Sequence, residues 1–400
     1  MSKQIQEAYI VAATRLPVAK RKGMFGYVRP DDMLAHAIKS VMAQAPGLDP
    51  ALVEDVIVGC AMPEAEQGMN VARIGLLLAG LPNTVPGITI NRFCSSGVQA
   101  VADAAARIRL GEADVMVAAG TETMSLLNQM MGNKIAMNPA IFEKDENYAI
   151  AFGMGLTAEK VAAQWKISRE DQDAFAVASH QKACAAIQAG HFKAEISPYP
   201  IKSHVPNLKT GEVMINDYLA DTDEGPRPDS SLERLAKLKP VFSARGSVTA
   251  GNSSQMSDGA AAVLLVSEKI LKQYKLKPLA RFAGFAVAGV PPQIMGIGPV
   301  EAIPRVLKQT GISQQDVDWF ELNEAFAAQS LAVMRTLDLD PAKVNPLGGA
   351  IALGHPLGAT GAVRTATLVH GLQRTKQRYG MVTMCIGTGM GAAGLFEAMF

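Results

Sequence analysis

Apolar and polar positions along the chain fall into two alternating textures, short apolar runs and stripes at helical spacing. The first run, Ala8-Tyr9-Ile10-Val11-Ala12-Ala13, reads as a strand. Pro30 to Gln44 follows with Leu34, Ile38 and Val41 on one stripe, which predicts a helix. Val53 to Val58 reads as a strand, Val71 to Leu78 as a helix, and Gly87 to Ile90 as a short strand. From Val98 onward, Val98, Val101, Ala105 and Ile108 recur at i, i+3, i+7 and i+10, so a second stripe begins, closed by Gly111. Asp114 to Ala119 is another buried strand.

From Ser125 to about Ala250 the texture changes. Met-rich and turn-rich stretches alternate with an isolated helix, Arg169 to Ala189, and with Asp221 to Pro228, dense in Asp, Pro and Gly. This segment reads as an insertion rather than as further sheet. Ala260 to Ser267 is again a buried strand, and then the opening order returns. Leu279 to Val287 reads as a strand, Pro299 to Lys308 as a helix, Val317 to Leu322 as a strand and Ala327 to Thr336 as a helix. A glycine-rich run, Gly348 to Gly361, leads through another helix to the strand Met381 to Cys385. Tyr379 to Gly389 occupies the place that Glu112 to Thr123 held in the first third. The pattern predicts two α/β halves related by an internal repeat, with a lobe inserted in the first.

Composition narrows the function class. A chain of 400 residues, 48% hydrophobic with 36 glycines, suits two or three tightly wound α/β domains. A net charge of +1 gives no field for a polyanion, so nucleic acid is not an expected partner. Cys60, Cys94, Cys184 and Cys385 lie far apart without CxxC spacing, which argues against a zinc site or disulfide framework and for a reducing compartment. No run of about 20 apolar residues exists, so no membrane span is expected. The polar start running into the first strand does not fit a signal peptide, and Glu397-Ala398-Met399-Phe400 carries no peroxisomal or retention signal of the familiar kinds.

Candidate chemistry gathers at strand ends. Cys94, in Asn91-Arg92-Phe93-Cys94-Ser95-Ser96-Gly97, sits where a strand turns into a helix. Free N–H groups and the positive helix end favour a nucleophilic thiolate there; taken alone, the residue could equally be a buried structural cysteine. His355 lies among five glycines at the equivalent place in the second half, where the repeat brings it opposite Cys94. A neutral imidazole there can take the thiol proton. Cys385 ends a buried strand and is followed by Gly387 and Gly389, both able to expose backbone N–H groups; Asn323 and Glu324 end another strand. Together these point to one crevice at the carboxyl edge of the sheets. Gly389 to Gly394 matches GxGxxG, but six residues remain after it, too few for the helix and strand of a dinucleotide site. His36, His180, His191, His204 and His370 show no ligand spacing, and Cys60 and Cys184 are expected to be inert.

The blocks Asn91 to Ala100, Ser247 to Gly259, Asn323 to Gln329, Gly348 to Gly361 and Cys385 to Gly391 together closely resemble the thiolases. The resemblance implies a five-layered α-β-α-β-α fold of duplicated halves. Residues 1–124 with 251–274 would form the N-terminal half, 275–400 the C-terminal half, and 125–250 a loop domain for coenzyme A binding and chain-length control. It implies that Cys94 is the acylated nucleophile, His355 its base and Cys385 the second acid/base. Asn323 would hold a water that, with His355, binds the enolate oxygen, and the Cys94 and Gly387 N–H groups would bind the oxyanion. Arg227 matches the position beside the nucleotide phosphates and Ser254 the one lining the pantetheine; Met154 and Phe326 match acyl-pocket neighbours.

One departure bears on specificity. Acetoacetyl-specific members carry a histidine before the matching Met-Gly, where this chain has Gly153 before Met154-Gly155. The expected activity is therefore that of a 3-ketoacyl-CoA thiolase of fatty-acid β-oxidation, with acetoacetyl-CoA thiolase running the Claisen condensation as the alternative. Coenzyme A is expected as co-substrate, with no permanently bound cofactor and no metal. The expected setting is cytoplasmic, as a homodimer or homotetramer, with association to a β-oxidation multienzyme partner as a further expectation. A ketoacyl synthase, a Cys/His/Asn hydrolase and a non-catalytic acyl-CoA carrier are the rival classes; the first two leave Cys385 without a role. The Met-rich stretch Met124 to Met137 suits either a tunnel adaptable to several acyl lengths or packing against a sister subunit.

Overall fold

A computed structural model describes residues 5–127 and 137–400. The first half runs β1 (Ala8–Arg15), β2 (Ala19–Lys20), α1 (Pro30–Ala43), β3 (Asp55–Gly59), α2 (Val71–Leu78), β4 (Gly87–Ile90), α3 (Ser96–Arg109) and β5 (Val115–Glu122). The inserted segment holds α4 (Met154–Gln164), α5 (Arg169–Gln188), the hairpin β6 (Tyr199–Pro206) and β7 (Val213–Ala220), and α6 (Leu232–Ala236). Then come β8 (Ser257–Ser267), α7 (Glu268–Gln273), β9 (Ala280–Gly289), α8 (Gly298–Thr310), β10 (Val317–Leu322) and α9 (Ala327–Leu337). The chain closes with α10 (Ala350–Leu353), α11 (Leu357–Thr375), β11 (Tyr379–Ile386) and β12 (Met390–Ala398).

The duplication is visible in strand order. The main sheet runs β10-β11-β12-β9-β1-β8-β5-β3-β4. In the first half β4, β3 and β5 pair parallel, while β5–β8 and β8–β1 pair antiparallel. The second half repeats this with β10 parallel to β11, then β12 and β9 antiparallel, and the bridge Phe320–Val344 standing where β4 stood. Each half thus places its strands third, second, fourth, fifth, first. The halves meet along a short seam, Tyr9–Arg281 and Ile10–Ala280.

Alternate residues of the central strands enter different cores, which builds the layers. Met116, Ala118, Val263 and Leu265 face a core shared with Val98, Val101, Ala105 and Ile108 of α3, Leu368, Val369 and Leu372 of α11, and Val382 and Met384 of β11. The alternate positions Val115, Val117, Leu264 and Val266 pack on Leu34, Ile38 and Val41 of α1 and Leu76 of α2. On the far side, Met381, Ala393 and Leu395 meet Ile303 and Val306 of α8 and Val333 of α9. Helices, sheet, the α3–α11 pair, sheet and helices make the five-layered α-β-α-β-α arrangement. Strands covered on both faces need no polar alternation, which is why they appear in the sequence as unbroken apolar runs.

Two departures from the sequence reading have physical causes. The insertion holds more regular structure than one helix. Its hairpin leaves Val213, Met214, Ile215, Tyr218 and Leu219 exposed, so no in-and-out pattern marked it. The final strand β12 was hidden in the GxGxxG run. Gly391 lies inside β12, and a Cβ there would come 2.0 Å from the Gly298 carbonyl carbon at the head of α8. Those glycines serve close packing rather than a phosphate turn. Positions 128–136 of the Met-rich stretch lie outside the described residues.

Candidate active site

The site is built where α3 and α11 cross. A Cβ on Gly97 would lie 2.5 Å from Ala362 N, and one on Gly361 would lie 2.0 Å from Val98 N. The two helix heads can approach this closely only because both positions lack side chains. Cys94 and His355 precede these glycines on their respective chains, so the crossing brings the two strand-to-helix connections together.

Cys94 sits in a tight turn, Phe93–Ser95, between β4 and α3. Phe93 adopts φ +45°, a left-handed conformation that costs a bulky residue about 1–3 kcal/mol. The surrounding bonds enforce it: Asn91 Oδ1 accepts from Phe93 N (2.8 Å), Ser96 Oγ accepts from Arg92 N (2.9 Å), and Ser96 Oγ donates to Phe93 O (2.7 Å). Burial pushes the Cys94 thiol up to about 11, against N–H groups of Gly387 and of Cys94 itself aimed at the sulfur; the Glu122 carboxylate adds to the rise. The expectation of a resting thiolate is therefore overturned. A helix terminus is worth about 0.3–1 kcal/mol, less than the ~1.4 kcal/mol of a single pKa unit. Desolvation wins.

A neutral thiol requires a base. His355 Nδ1 meets Thr360 Oγ1 at 2.6 Å and its N–H donates to Ser257 Oγ at 3.1 Å. Asn323 Nδ2 approaches Nε2 at 3.4 Å. With Nε2 accepting from Asn323, the ring proton rests on Nδ1 and Nε2 remains the basic nitrogen. Burial lowers the imidazole to about 3, and the Arg364 charge adds to that, so His355 is neutral throughout the physiological range. Thiol and imidazole are both uncharged at rest, so the thiol proton has to pass to the base in the course of acylation. Cys385, in β11, is raised further still, by burial first and then by the neighbouring Cys94. It is a proton donor, not a standing thiolate. Asn323 Oδ1 is buried and has no hydrogen-bond partner among the described residues.

Gly387 begins the β11–β12 turn, where Thr388 (φ +66°) and Gly389 (φ +93°) reverse the chain, and the Gly387 N–H is the amide aimed at the Cys94 sulfur. A Cβ on Gly387 would meet Met154 Sδ at 3.7 Å and the Phe93 ring at 3.8 Å, so Met154 and Phe93 flank Gly387. Phe326 is buried with Ala158, Val248, Met295, Ala325 and Cys385, and packs edge-on to Phe242. Ser254 is joined to this floor by its N–H bond to Ala325 O (2.9 Å). The structure thus links Cys94 to Gly387 and Cys385, Gly387 to Met154, Cys385 to Phe326, and His355 to Asn323, with Ser254 tied to the residue before Phe326.

Arg227 stands apart on the inserted segment. Its side chain is exposed and forms no ion pair among the described residues, while its N–H donates to His180 Nδ1 at 3.1 Å. Burial keeps His180 neutral, lowering it to about 4. The Asp221–Pro228 stretch is fixed to the sheet by Arg15. That buried guanidinium grips Asp223 with two bonds (2.7 and 2.9 Å) and Glu195 with a third (2.7 Å).

Glu122 escaped the sequence reading. It ends β5 and accepts from Ala61 N (2.8 Å), Met62 N (3.3 Å), Gly358 N (2.8 Å) and the Gln67 amide, tying the two halves together beside Cys94. Burial outweighs those donors and pushes it up to about 7. Its place in the repeat, at the end of a buried strand, was the available signal. His180 was set aside for lack of ligand spacing, and only the fold shows that it supports Arg227.

Comparison with known proteins gives the family and the fold. A family model described as "Thiolase, N-terminal domain" matches residues 8–269, and one described as "Thiolase, C-terminal domain" matches residues 276–398. The chain is 51% identical over 400 residues to a 3-ketoacyl-CoA thiolase of Bacillus subtilis (strain 168), covering 98% of this chain and 100% of that one. The Bacillus anthracis acetyl-CoA acetyltransferase structure superposes with a TM-score of 0.89 at 40% identity, covering 100% of both chains. The dimeric peroxisomal thiolase of Saccharomyces cerevisiae superposes with a TM-score of 0.88 at 40% identity over 98% of each chain.

Proposed function

The chain belongs to the thiolase family, and from that membership we propose that it is a degradative 3-ketoacyl-CoA thiolase of fatty-acid β-oxidation. It is an acyltransferase that uses coenzyme A as co-substrate. The observation that carries the assignment of roles is the crossing of α3 and α11, which sets Cys94, with Gly387 N–H at its sulfur, in the same crevice as the His355–Asn323 pair.

His355 takes the Cys94 proton as sulfur adds to the C3 ketone, and the resulting oxyanion rests on the Cys94 and Gly387 N–H groups. Preorganised donors of this kind are typically worth about 3 kcal/mol each. The C2–C3 bond then breaks, leaving the acyl group on Cys94 and an acetyl-CoA enolate. A water held by Asn323, together with His355, steadies the enolate oxygen, and Cys385 gives its proton to C2. Coenzyme A enters, Cys385 takes its thiol proton, and the coenzyme thiolate lifts the acyl group from Cys94, whose departing sulfur takes back the proton held on His355. Arg227 meets the nucleotide phosphates and Ser254 the pantetheine, while Met154 and Phe326 border the acyl group.

Acetoacetyl-CoA thiolase running the condensation is the second reading, and Gly153 argues against it. A Cβ there meets nothing within 4 Å, so the space that a histidine would fill stands open for a longer tail. Exposed Met69, Leu77, Leu78 and Ile88 lie around the edge strand β4 and support a homodimer or homotetramer. Four unpaired cysteines support a reducing, cytoplasmic setting. Association with a β-oxidation multienzyme partner is proposed because the substrate is the product of the preceding oxidation.

The test is mass measurement of the protein after exposure to a 3-ketoacyl-CoA without free coenzyme A. The expected adduct is a thioester on Cys94, discharged when coenzyme A is added. Cys94→Ser should form none while still binding coenzyme A, because a serine hydroxyl is far less acidic at the same site. An acylated Ser variant would sink the assignment.

A further inference from the structure

The segment carrying His355 is held from two sides, and the chemistry above accounts for only part of the grip. On one side, Trp319, Glu321 and Asn323 alternate onto the same face of β10 and its end. On the other, Thr360 and Arg364 are four residues apart on α11 and share a face. His355 lies between them, with Asn323 Nδ2 at its Nε2 and Thr360 Oγ1 at its Nδ1.

Arg364 completes this frame. It is 2% exposed. Its Nη2 donates to the carbonyl of Gly354 at 3.4 Å, the residue directly before His355. Its Nη1 lies 3.6 Å from Glu321 Oε2, while Glu321 Oε1 accepts from the Trp319 indole N–H at 2.7 Å. Gly354 takes φ +93°, and a Cβ there would fall 2.5 Å from Ser257 Oγ, the atom that accepts the His355 N–H. No side chain at 354 can steady this peptide, so its orientation rests on two grips, Ser257 Oγ at the N–H and Arg364 at the carbonyl. A buried ion pair at such a long distance is a poor stabiliser. Burying its charges costs several kcal/mol each, and apolar replacements are often as stable. The pair therefore calls for a role beyond stability.

We propose that Arg364 is a positioning residue for acyl transfer, fixing the Gly354–His355 peptide so that His355 is correctly aimed as base, with Glu321 anchoring the guanidinium. Asn323 and Thr360 contact the imidazole itself, Ser257 holds the His355 backbone N–H, and Arg364 holds the preceding carbonyl. Arg364 adds to burial in disfavouring the imidazolium, and it also acts on Glu324, so one buried cation tunes both sides of the crevice. The inference rests on Cys94 as nucleophile and His355 as base.

The test compares Arg364→Met, Arg364→Lys and the double variant Glu321→Gln/Arg364→Met, using acetoacetyl-CoA in single-turnover acylation and thermal unfolding. Arg364→Met should acylate about 10²-fold more slowly, the scale of a misplaced catalytic group, with KM for coenzyme A unchanged. Arg364→Lys keeps the charge and should recover part of the rate. The double variant removes the orphaned carboxylate and should regain thermal stability without regaining acylation; it also carries the test if Arg364→Met does not fold. Acylation that returns together with stability in the double variant would show that Arg364 only neutralises Glu321, and the proposal falls. So does a wild-type acylation rate in Arg364→Met. A wild-type chain that forms no Cys94 acyl-enzyme would overturn the functional reading itself, and the proposal with it.

Discussion

His355 and Asn323 touch at 3.4 Å yet are assigned unequal shares of the work. In the proposed mechanism His355 serves both thiol activation and the enolate, whereas Asn323 serves only the enolate. His355→Ala should therefore slow acylation most. Asn323→Ala should slow carbon–carbon cleavage while sparing transfer of a preformed acyl group to coenzyme A. Burst kinetics separate the steps, and equal losses in both for Asn323→Ala would count against its role. At position 153, Gly153→His fills open space beside Met154 with a polar ring. The kcat/KM for long-chain 3-ketoacyl-CoA should fall by about 1–3 kcal/mol in barrier while acetoacetyl-CoA is spared. A uniform drop over all chain lengths would assign Gly153 to the backbone of the loop alone. Single residues stand out in the sequence where chemistry is rare, as with Cys94, His355 and Asn323, and the fold sets the last two in contact. The protonation of Cys94 was not legible there, because desolvation depends on what the fold stacks around the sulfur.

Elements were legible in proportion to how they are buried. Val71–Leu78, Gly87–Ile90 and Val317–Leu322 stand where the hydrophobic pattern predicts them. The long apolar runs became strands because sheets covered on both faces leave only apolar side chains to choose from. The β6–β7 hairpin was missed because its apolar residues are exposed, and β12 because its glycines imitate a phosphate loop. The glycines of α3 and α11 give the sharpest test at this scale. Gly361→Ala sets a methyl 2.0 Å from Val98 N, a clash with backbone that cannot rotate away. Overpacking of this kind costs typically 1–3 kcal/mol, sometimes more, and should appear as an earlier denaturant midpoint. Acylation should fail along with it. A fully active, fully stable Gly361→Ala would mean that the helix heads need not touch.

Taken as one molecule, the chain sets two groups of titrating side chains against each other. Glu122 and Glu321 are each pushed by burial up to about 7. Their folded forms hold protons more tightly than the unfolded chain, so their contribution is fully present below about 4.5 and is lost as pH rises through 7. His180 and His355, lowered by burial to about 4 and about 3, work the other way; their contribution is present above 6.5 and lost as pH falls through those values. Stability by denaturant titration should therefore peak in the mildly acidic range, and Glu122→Gln should flatten its alkaline side. A stability curve still rising above pH 7 would contradict this. The α3–α11 crossing has a mechanical consequence as well. Gly97 on α3 and Gly361 on α11 work as a keyway, each leaving the space that the other helix's backbone fills. Because the Cys94 turn runs directly into α3 and the His355 segment into α11, this fit locks the two connections to each other, and a side chain added on either helix would displace both together.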